Sequence, residues 1–301
     1  MRIAVAATPE VAIPTLDALL ASNHELVCVI TRPDALAGRG RSLQSSPVAN
    51  WADTHNVKLY KPDSSQLLEE LIQDLDLVIT IGYGVLLPPQ ILEKPKHGFI
   101  NLHFSLLPRW RGAAPVQRAV EAGDGVTGVT VFQLDAGMDT GPIYLSAQIP
   151  LSVTATSEQL FQSLAILGVD PVLRTLELIE RGVKPTTQSD VGATRAYKLS
   201  KEEGQINWNA DADLILRKIN AFSPDPGAWS NFRGQVLKIN SVRASDQSLP
   251  AGVLKVIEKS IYIGTATTAL ELVDVTPSGK SQMMATSWAN GARLSATDML
   301  Q

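Results

Sequence analysis

The sequence predicts an α/β protein in which a doubly wound, mostly parallel, Rossmann-like sheet is followed by a small, OB-like β-barrel. The first half alternates short β-branched runs with segments of helical periodicity, which is typical of a parallel sheet covered by helices. Further along, short strand patterns recur between turn residues, which is typical of a barrel or a sandwich. With 301 residues, of which 45% are hydrophobic, the chain is long enough for two domains.

The elements of the first domain follow from local patterns. Strand character is present in residues 3–7, 25–31, 75–81, 99–103 and 128–134. Helical spacing is present in residues 11–21, 46–55, 65–72 and 115–122, the last opened by a proline and closed by a glycine. A longer apolar periodicity over 158–179 predicts one helix packed on the sheet.

The pattern changes after a stretch rich in Pro, Thr, Gln and Ser. A helix is predicted over 212–221, and short strands over 235–242, 252–257, 260–264 and 270–275. We therefore expect a sheet domain over 1–185, a linker over 186–205 and a β-barrel over 206–301.

Composition narrows the classes of function. The single cysteine, Cys28, allows no intramolecular disulfide and no thiolate cluster, and the four histidines lack metal-ligand spacing, so no metal is expected. The apolar runs are shorter than the roughly 20 residues of a membrane helix, and no signal peptide is recognisable, so we expect a cytoplasmic protein. A net charge of −4 argues against indiscriminate binding of nucleic acid.

Two polar side chains mark the end of one predicted strand. Asn101 and His103 point to the same face because side chains alternate along a strand. Open α/β sheets bind ligands beyond the carboxyl ends of their strands. Asp139, between Gly137 and Gly141, follows a strand that is expected to end at the same crevice. Each motif alone is commonplace, since such residues often satisfy backbone groups or form turns.

Together these motifs resemble the formyltetrahydrofolate-dependent formyltransferases. The resemblance is carried by Asn101-Leu102-His103, by residues 105–115 and by residues 134–141. It extends over nearly the whole chain, through residues 32–34, 38–41, 46–48, 82–88 and 198–208. Within the family, the members that formylate methionine on initiator tRNA are the most similar.

The resemblance implies a formyl transfer from 10-formyltetrahydrofolate to an amine. Asn101 and a protonated His103 would donate to the oxyanion that develops, and Asp139 would hold the imidazolium and assist proton removal. The reduced folate would lie against Val85, Leu86, Leu87, Ser105, Leu106, Leu107, Pro108, Leu134 and Asp135.

Methionyl-initiator tRNA is the partner that the resemblance implies. Arg32, Arg39 and Arg41 form a glycine-containing basic segment opposed only by Asp34, with a local charge of +2. Lys198 and Lys201 in the linker are further candidates for phosphate contacts. Residues 206–301 carry nine Lys or Arg against eight Asp or Glu, so the barrel itself is not basic. We expect a monomer.

Three other functions compete with this interpretation. A formyltransferase for an amino sugar nucleotide would share the Asn, His and Asp core. A dinucleotide-dependent oxidoreductase is disfavoured because Thr8-Pro9-Glu10 follows the first strand where a GxGxxG motif is needed. A non-enzymatic tRNA-binding module would be distinguished by its failure to transfer formyl groups.

Overall fold

The computed structural model describes residues 1–37 and 42–301, which form two compact units. The first consists of Met1–Gly112, Val126–Ile149 and Phe161–Arg195. The second consists of Ala113–Gly125, Pro150–Leu160 and Ala196–Gln301. The strands and helices of the two units confirm the predicted fold class, an α/β sheet followed by an antiparallel β structure.

A seven-stranded sheet organises the first unit. In spatial order its strands are Ile143–Pro150, Val126–Gln133, Phe99–His103, Leu77–Ile81, Arg2–Ala7, Glu25–Ile30 and Leu59–Tyr60. Neighbours from Phe99–His103 to Leu59–Tyr60 are parallel. Strand order reverses between Arg2–Ala7 and Leu77–Ile81, and in doubly wound sheets ligands bind beside such a reversal, at the carboxyl ends of the strands.

Helices flank these strands. Serine side chains cap the N-termini of two of the predicted helices: the Ser46 hydroxyl accepts from the Ala49 N–H (3.0 Å) and the Ser64 hydroxyl from the Leu67 N–H (3.3 Å). The helical elements of the first unit are Glu10–Ala12 (a 3₁₀ turn), Ile13–Leu20, Pro47–Thr54, Ser65–Ile72, Pro89–Leu92 and Val169–Glu180. Pro115–Ala122 belongs to the second unit, and Ser157–Leu167 begins in the second unit and ends in the first.

The prediction of a single helix over 158–179 is wrong. Two helices, Ser157–Leu167 and Val169–Glu180, are separated at Gly168. A Cβ at Gly168 would lie 2.6 Å from Leu102 Cδ2, so this position packs directly on the sheet. Glycine permits that close approach and weakens the helix at the same point.

A six-stranded sheet organises the second unit. Its strands are Ala228–Phe232, Gln235–Ala244, Leu270–Pro277, Ser260–Ile263 and Leu254–Ile257, with Met283–Met284 paired to Leu270–Pro277. All these neighbours are antiparallel. The chain end bridges to both edges, since Phe232 pairs with Leu300 and Val253 with Met299. Contacts from one segment to both edges are what a small barrel requires.

Helices accompany this second sheet. Ala212–Phe222 packs against Pro115–Ala122, and Ala285–Ala292 lies against the strand Leu270–Pro277. The sequence patterns did not predict Ala228–Phe232, Met283–Met284 or Ala285–Ala292, nor the edge strands Ile143–Pro150 and Leu59–Tyr60 of the first sheet. Short or exposed elements carry little periodicity, so packing rather than local pattern defines them. Across residues 1–37 and 42–301, no helix is long and apolar enough to cross a membrane.

Candidate active site

Asn101 lies at the carboxyl end of Phe99–His103, beside Thr80 on the neighbouring strand Leu77–Ile81. The Thr80 hydroxyl donates its single proton to Asn101 Oδ1 at 2.8 Å, with the Ile100 carbonyl oxygen as a second, longer acceptor at 3.1 Å. This bond orients the amide, because it turns the oxygen towards Thr80 and leaves the Nδ2 donor facing the other way. Thr80 was not singled out from the sequence, although a hydroxyl inside the otherwise apolar run 77–81 was a visible signal.

His103 is buried, with its side chain 6% exposed, and each ring nitrogen faces an acceptor. Nε2 lies 2.9 Å from the carbonyl oxygen of Trp110, which makes Nε2 the donor in that contact. Nδ1 lies 3.7 Å from Asp139 Oδ2, longer than a hydrogen bond. A proton on Nδ1 would turn this second contact into an ion pair. The Trp110 carbonyl is thus a partner of the site that no side-chain pattern could reveal.

Asp139 reaches the site by a different route from the one expected. The strand Val126–Gln133 runs antiparallel to Phe99–His103, with Gln133 opposite Ile100 and Thr130 opposite His103. Its carboxyl end therefore lies beside the start of Phe99–His103, and the prediction that this strand ends at the crevice is wrong. The segment that follows, residues 134–141, must turn back to bring Asp139 to His103; we call it the Asp139 loop.

Internal contacts fold the Asp139 loop. Asp135 Oδ1 accepts from the Gly137 N–H (3.0 Å) and from the Thr140 hydroxyl (2.8 Å). A Cβ at Gly141 would collide with the Gln133 carbonyl oxygen, so only glycine fits this return of the chain. Asp139 itself has φ +55°, in the left-handed region. The loop is compact and well connected, and it presents its carboxylate inward.

Residues far along the chain hold the backbone around the site. Gly112 donates its N–H to Asp139 Oδ2 at 2.7 Å. Thr194 accepts two backbone hydrogen bonds: its hydroxyl accepts from the Trp110 N–H (2.9 Å) and its carbonyl oxygen from the Arg111 N–H (2.9 Å). Gln188 donates to the Asp139 loop. The sequence patterns assigned Gln188 and Thr194 to turn-rich connecting chain, and polar loop residues of this kind give no local signal.

The segment next to His103 is fastened to the antiparallel strand. The Thr130 hydroxyl donates to the Ser105 carbonyl (2.7 Å) and accepts from the Leu107 N–H (3.1 Å). Ser105 is fully buried, and its own hydroxyl donates to the Arg109 carbonyl (2.7 Å). The polypeptide of residues 105–108 therefore has a fixed course past the site.

The other predicted folate segment combines exposed and buried apolar groups. Val85 and Leu86 are 45% and 78% exposed, whereas Leu87 is buried in a cluster against which Leu134 packs. Tyr83 belongs to the same cluster, and burial raises the pKa of its phenol while Arg32 opposes that rise. The fold thus packs Leu134 against the cluster that contains Leu87, although the two residues are distant in sequence.

Comparisons with known proteins show the family of this chain. The model of the formyl transferase family matches residues 1–176, and that of the formyl transferase C-terminal domain matches residues 198–293. A methionyl-tRNA formyltransferase of Mycobacteroides abscessus is 44% identical, with 98% of both chains covered. One from Salinispora tropica is 42% identical, with 100% of both covered. The chain belongs to the formyl transferase family, among the methionyl-tRNA formyltransferases.

A solved structure shows the same fold at low identity. The N-formyltransferase from Helicobacter canadensis, crystallised with folinic acid and dTDP-3-aminofucose, superposes with a TM-score of 0.69. The match covers 90% of this chain and 98% of that one, at 17% identity. At this level of identity the likeness concerns architecture, because one fold serves several acceptors.

The basic residues considered for tRNA in this formyltransferase lie in both units. Arg32 is exposed, and its Nη1 would be 3.9 Å from a Cβ at Gly84, beside the predicted folate segment. Arg39 and Arg41 lie outside the described residues, between the antiparallel strands Ala35–Ala37 and Ser42–Gln44. Lys198 and Lys201 are exposed residues of the second unit.

Metal ligation has no evident place in the described part of this formyltransferase. No group of three His, Cys, Asp or Glu side chains that could hold an ion occurs in residues 1–37 and 42–301. Cys28 is buried, and burial raises the pKa of its thiol to about 11, which keeps the sulfur protonated.

Proposed function

We propose that this chain transfers the formyl group of 10-formyltetrahydrofolate to the free amino group of methionine on initiator tRNA. The proposal is carried by the 3.7 Å approach of His103 Nδ1 to Asp139 Oδ2, with Asn101 two residues before His103 on the same strand. The chain that holds them matches named methionyl-tRNA formyltransferases over 98–100% of its length. We further propose that it works as a monomer in the cytoplasm.

The reaction requires a hydrogen-bond donor to the formyl oxygen, a base for the proton of the attacking amine, and a fixed position of that amine beside the formyl carbon. The lone pair of the methionine nitrogen forms a bond to the formyl carbon, and the carbonyl electrons move onto the formyl oxygen. The attacking nitrogen loses a proton. The electrons on the oxygen then re-form the carbonyl bond as the bond from the formyl carbon to N10 of the folate breaks, and N10 keeps that bond's electron pair and gains a proton. An enzyme lowers this barrier by donating to the developing oxyanion and by accepting the proton.

Each of the three polar residues has a role in this scheme. Asn101 Nδ2, left free by the bond from Thr80 to Oδ1, donates to the oxyanion. His103, held through Nε2 by the Trp110 carbonyl, donates from a protonated Nδ1. Asp139 balances the imidazolium charge and takes the proton of the attacking amine, directly or through a water.

The reduced folate would be held by apolar side chains and fixed backbone. We assign to it the exposed pair Val85 and Leu86 and the buried Leu87 and Leu134. The remaining residues of the proposed folate site are Ser105, Leu106, Leu107, Pro108 and Asp135. A mostly apolar surface with a few fixed polar groups suits a flat pterin ring.

The tRNA would be held by cations on both units. We propose that Arg32, Arg39, Arg41, Lys198 and Lys201 contact phosphates, with residues 1–185 performing the chemistry and 206–301 binding tRNA after the linker 186–205. Phosphate contacts supply much of the affinity for nucleic acid and fix its position without reading its sequence.

An acceptor panel tests the function. Purified protein is supplied with 10-formyltetrahydrofolate labelled in the formyl group and with one of three acceptors: methionyl-initiator tRNA, an amino sugar nucleotide or glycinamide ribonucleotide. We expect label only on the methionine of the tRNA. Transfer to the sugar nucleotide instead would establish the alternative function, and absence of transfer to every acceptor would refute formyl transfer.

Replacing Arg39 and Arg41 together by alanine should weaken the use of tRNA. Loss of two phosphate contacts is expected to raise KM for methionyl-tRNA and to reduce the slope of log affinity against log salt by about two, roughly one for each cation. KM for the folate should not change. Steady-state kinetics at several salt concentrations measure both effects.

The matched control is Arg174→Ala with Arg181→Ala, which removes the same charge from an exposed part of the first unit. Equal effects of the two double variants on tRNA kinetics would show that only net charge matters and would refute the proposed phosphate contacts of Arg39 and Arg41.

A further inference from the structure

We infer that Gln188 is a positioning residue that sets the conformation of the Asp139 loop, an inference that rests on the proposed role of Asp139. Gln188 Nε2 donates to the carbonyl oxygen of Asp139 at 3.0 Å and to that of Gly141 at 2.6 Å. Both side-chain amide hydrogens of Gln188 therefore bond to the Asp139 loop, which lies nearly fifty residues earlier in the chain. The two bonds hold the backbone of the loop at Asp139, which carries the carboxylate, and two residues further on.

Arg111 fixes the direction of the Gln188 amide. Its Nε and Nη2 donate to Gln188 Oε1 at 3.1 and 2.9 Å. A guanidinium has donors only, so the amide oxygen must face Arg111 and the NH₂ group must face the two carbonyls. Arg111 is itself buried, with 8% of its surface exposed, and its third nitrogen donates to Asp190 at 3.1 Å. Gln188 is therefore held on one side and holds the loop on the other.

The Asp139 loop needs such a restraint. Asp139 has φ +55°. Residues with a Cβ adopt this region at an energetic cost and keep it only where the surrounding structure imposes it. Residues 135–138 are exposed, so packing does little to confine them. The hydrogen bonds from Gln188 act directly on the strained residue, and they keep its carboxylate near His103 and on the N–H of Gly112.

Two variants separate the donor function of Gln188 from its pairing with Arg111. Gln188→Met has a similar length and removes both functions. Gln188→Glu keeps an acceptor for Arg111 but places a carboxylate oxygen against two carbonyl oxygens. We expect both to lower kcat by about tenfold to a hundredfold, since a displacement of about 1 Å can cost on the order of 10² in rate. KM for folate and for tRNA should change by less than about threefold. The lost bonds go to the carbonyls of Asp139 and Gly141, whereas the proposed folate residue Asp135 keeps its own bonds to Gly137 and Thr140.

A second measurement reports on the loop without depending on catalysis. The Gly112 N–H donates to the Asp139 carboxylate, so its hydrogen exchange should accelerate when the loop moves. Faster exchange is expected in both Gln188 variants. The control is Asp190→Asn, which alters the other partner of Arg111 at a side chain that is 93% exposed. It should match the wild type in kcat and in Gly112 exchange, because exposed ion pairs contribute little.

Several results would overturn the inference. Wild-type turnover in Gln188→Glu would show that pairing with Arg111, rather than donation to the loop, is what matters. Activity that falls only in step with the folded fraction, with Gly112 exchange unchanged, would show a purely structural role. If the wild type formylates no acceptor, the proposed function fails, and Gly112 exchange alone still decides whether Gln188 holds the loop.

Discussion

Asn101→Ala is expected to lower kcat/KM for formyl transfer by on the order of 10²–10³, the usual effect of removing one oxyanion donor. The loss should appear in kcat, because the donor acts mainly on charge that develops after substrate binding. Single-turnover measurements with bound folate and tRNA isolate this step. KM for either substrate should change little.

The design of this test excludes a loss of folding. Asn101→Asp has nearly the same shape but cannot donate, so it should be as slow as the alanine variant. Asn23→Ala, in an exposed turn of the first unit, serves as the matched control. A folded Asn101→Ala protein with near-normal turnover would refute the assignment of Asn101 as the oxyanion donor.

Asp139→Asn is expected to lower kcat by about 10²–10⁴, the range for loss of a general acid or base. An asparagine oxygen can still accept from the Gly112 N–H, so the loop should keep its course while the negative charge beside His103 disappears. The variant should therefore fold normally and bind both substrates. Its rate should stay low across the pH range in which the wild type is active, because no titration restores the carboxylate.

Thermal unfolding and the pH dependence of kcat check this second prediction. Asp170→Asn, at an exposed side chain of the helix Val169–Glu180, is the matched control and should behave as the wild type. An Asp139→Asn enzyme whose turnover recovers fully at one end of the pH range would show that the carboxylate is not the proton acceptor.

Local pattern was sufficient for much of the first sheet. The strand Phe99–His103 and the helix Ser65–Ile72 have the bounds that the sequence predicts, because side chains alternate between the two faces of a strand and apolar side chains recur with a 3.6-residue period in the helix. Asn101 and His103 share a face for the same reason. The helix break at Gly168 was missed because apolar periodicity continues across it, while the packing on Leu102 that exploits the glycine is a tertiary contact.

The sequence by itself determined the fold class, the resemblance to formyltransferases and the residue types at the site. Tertiary structure decided how those residues meet: the antiparallel strand Val126–Gln133 made the Asp139 loop turn back, and the Trp110 carbonyl and Gln188 supplied supports. The physical reason is that these supports are hydrogen bonds to backbone groups. Every residue carries backbone polar groups, so the sequence does not indicate which of them pair with distant side chains.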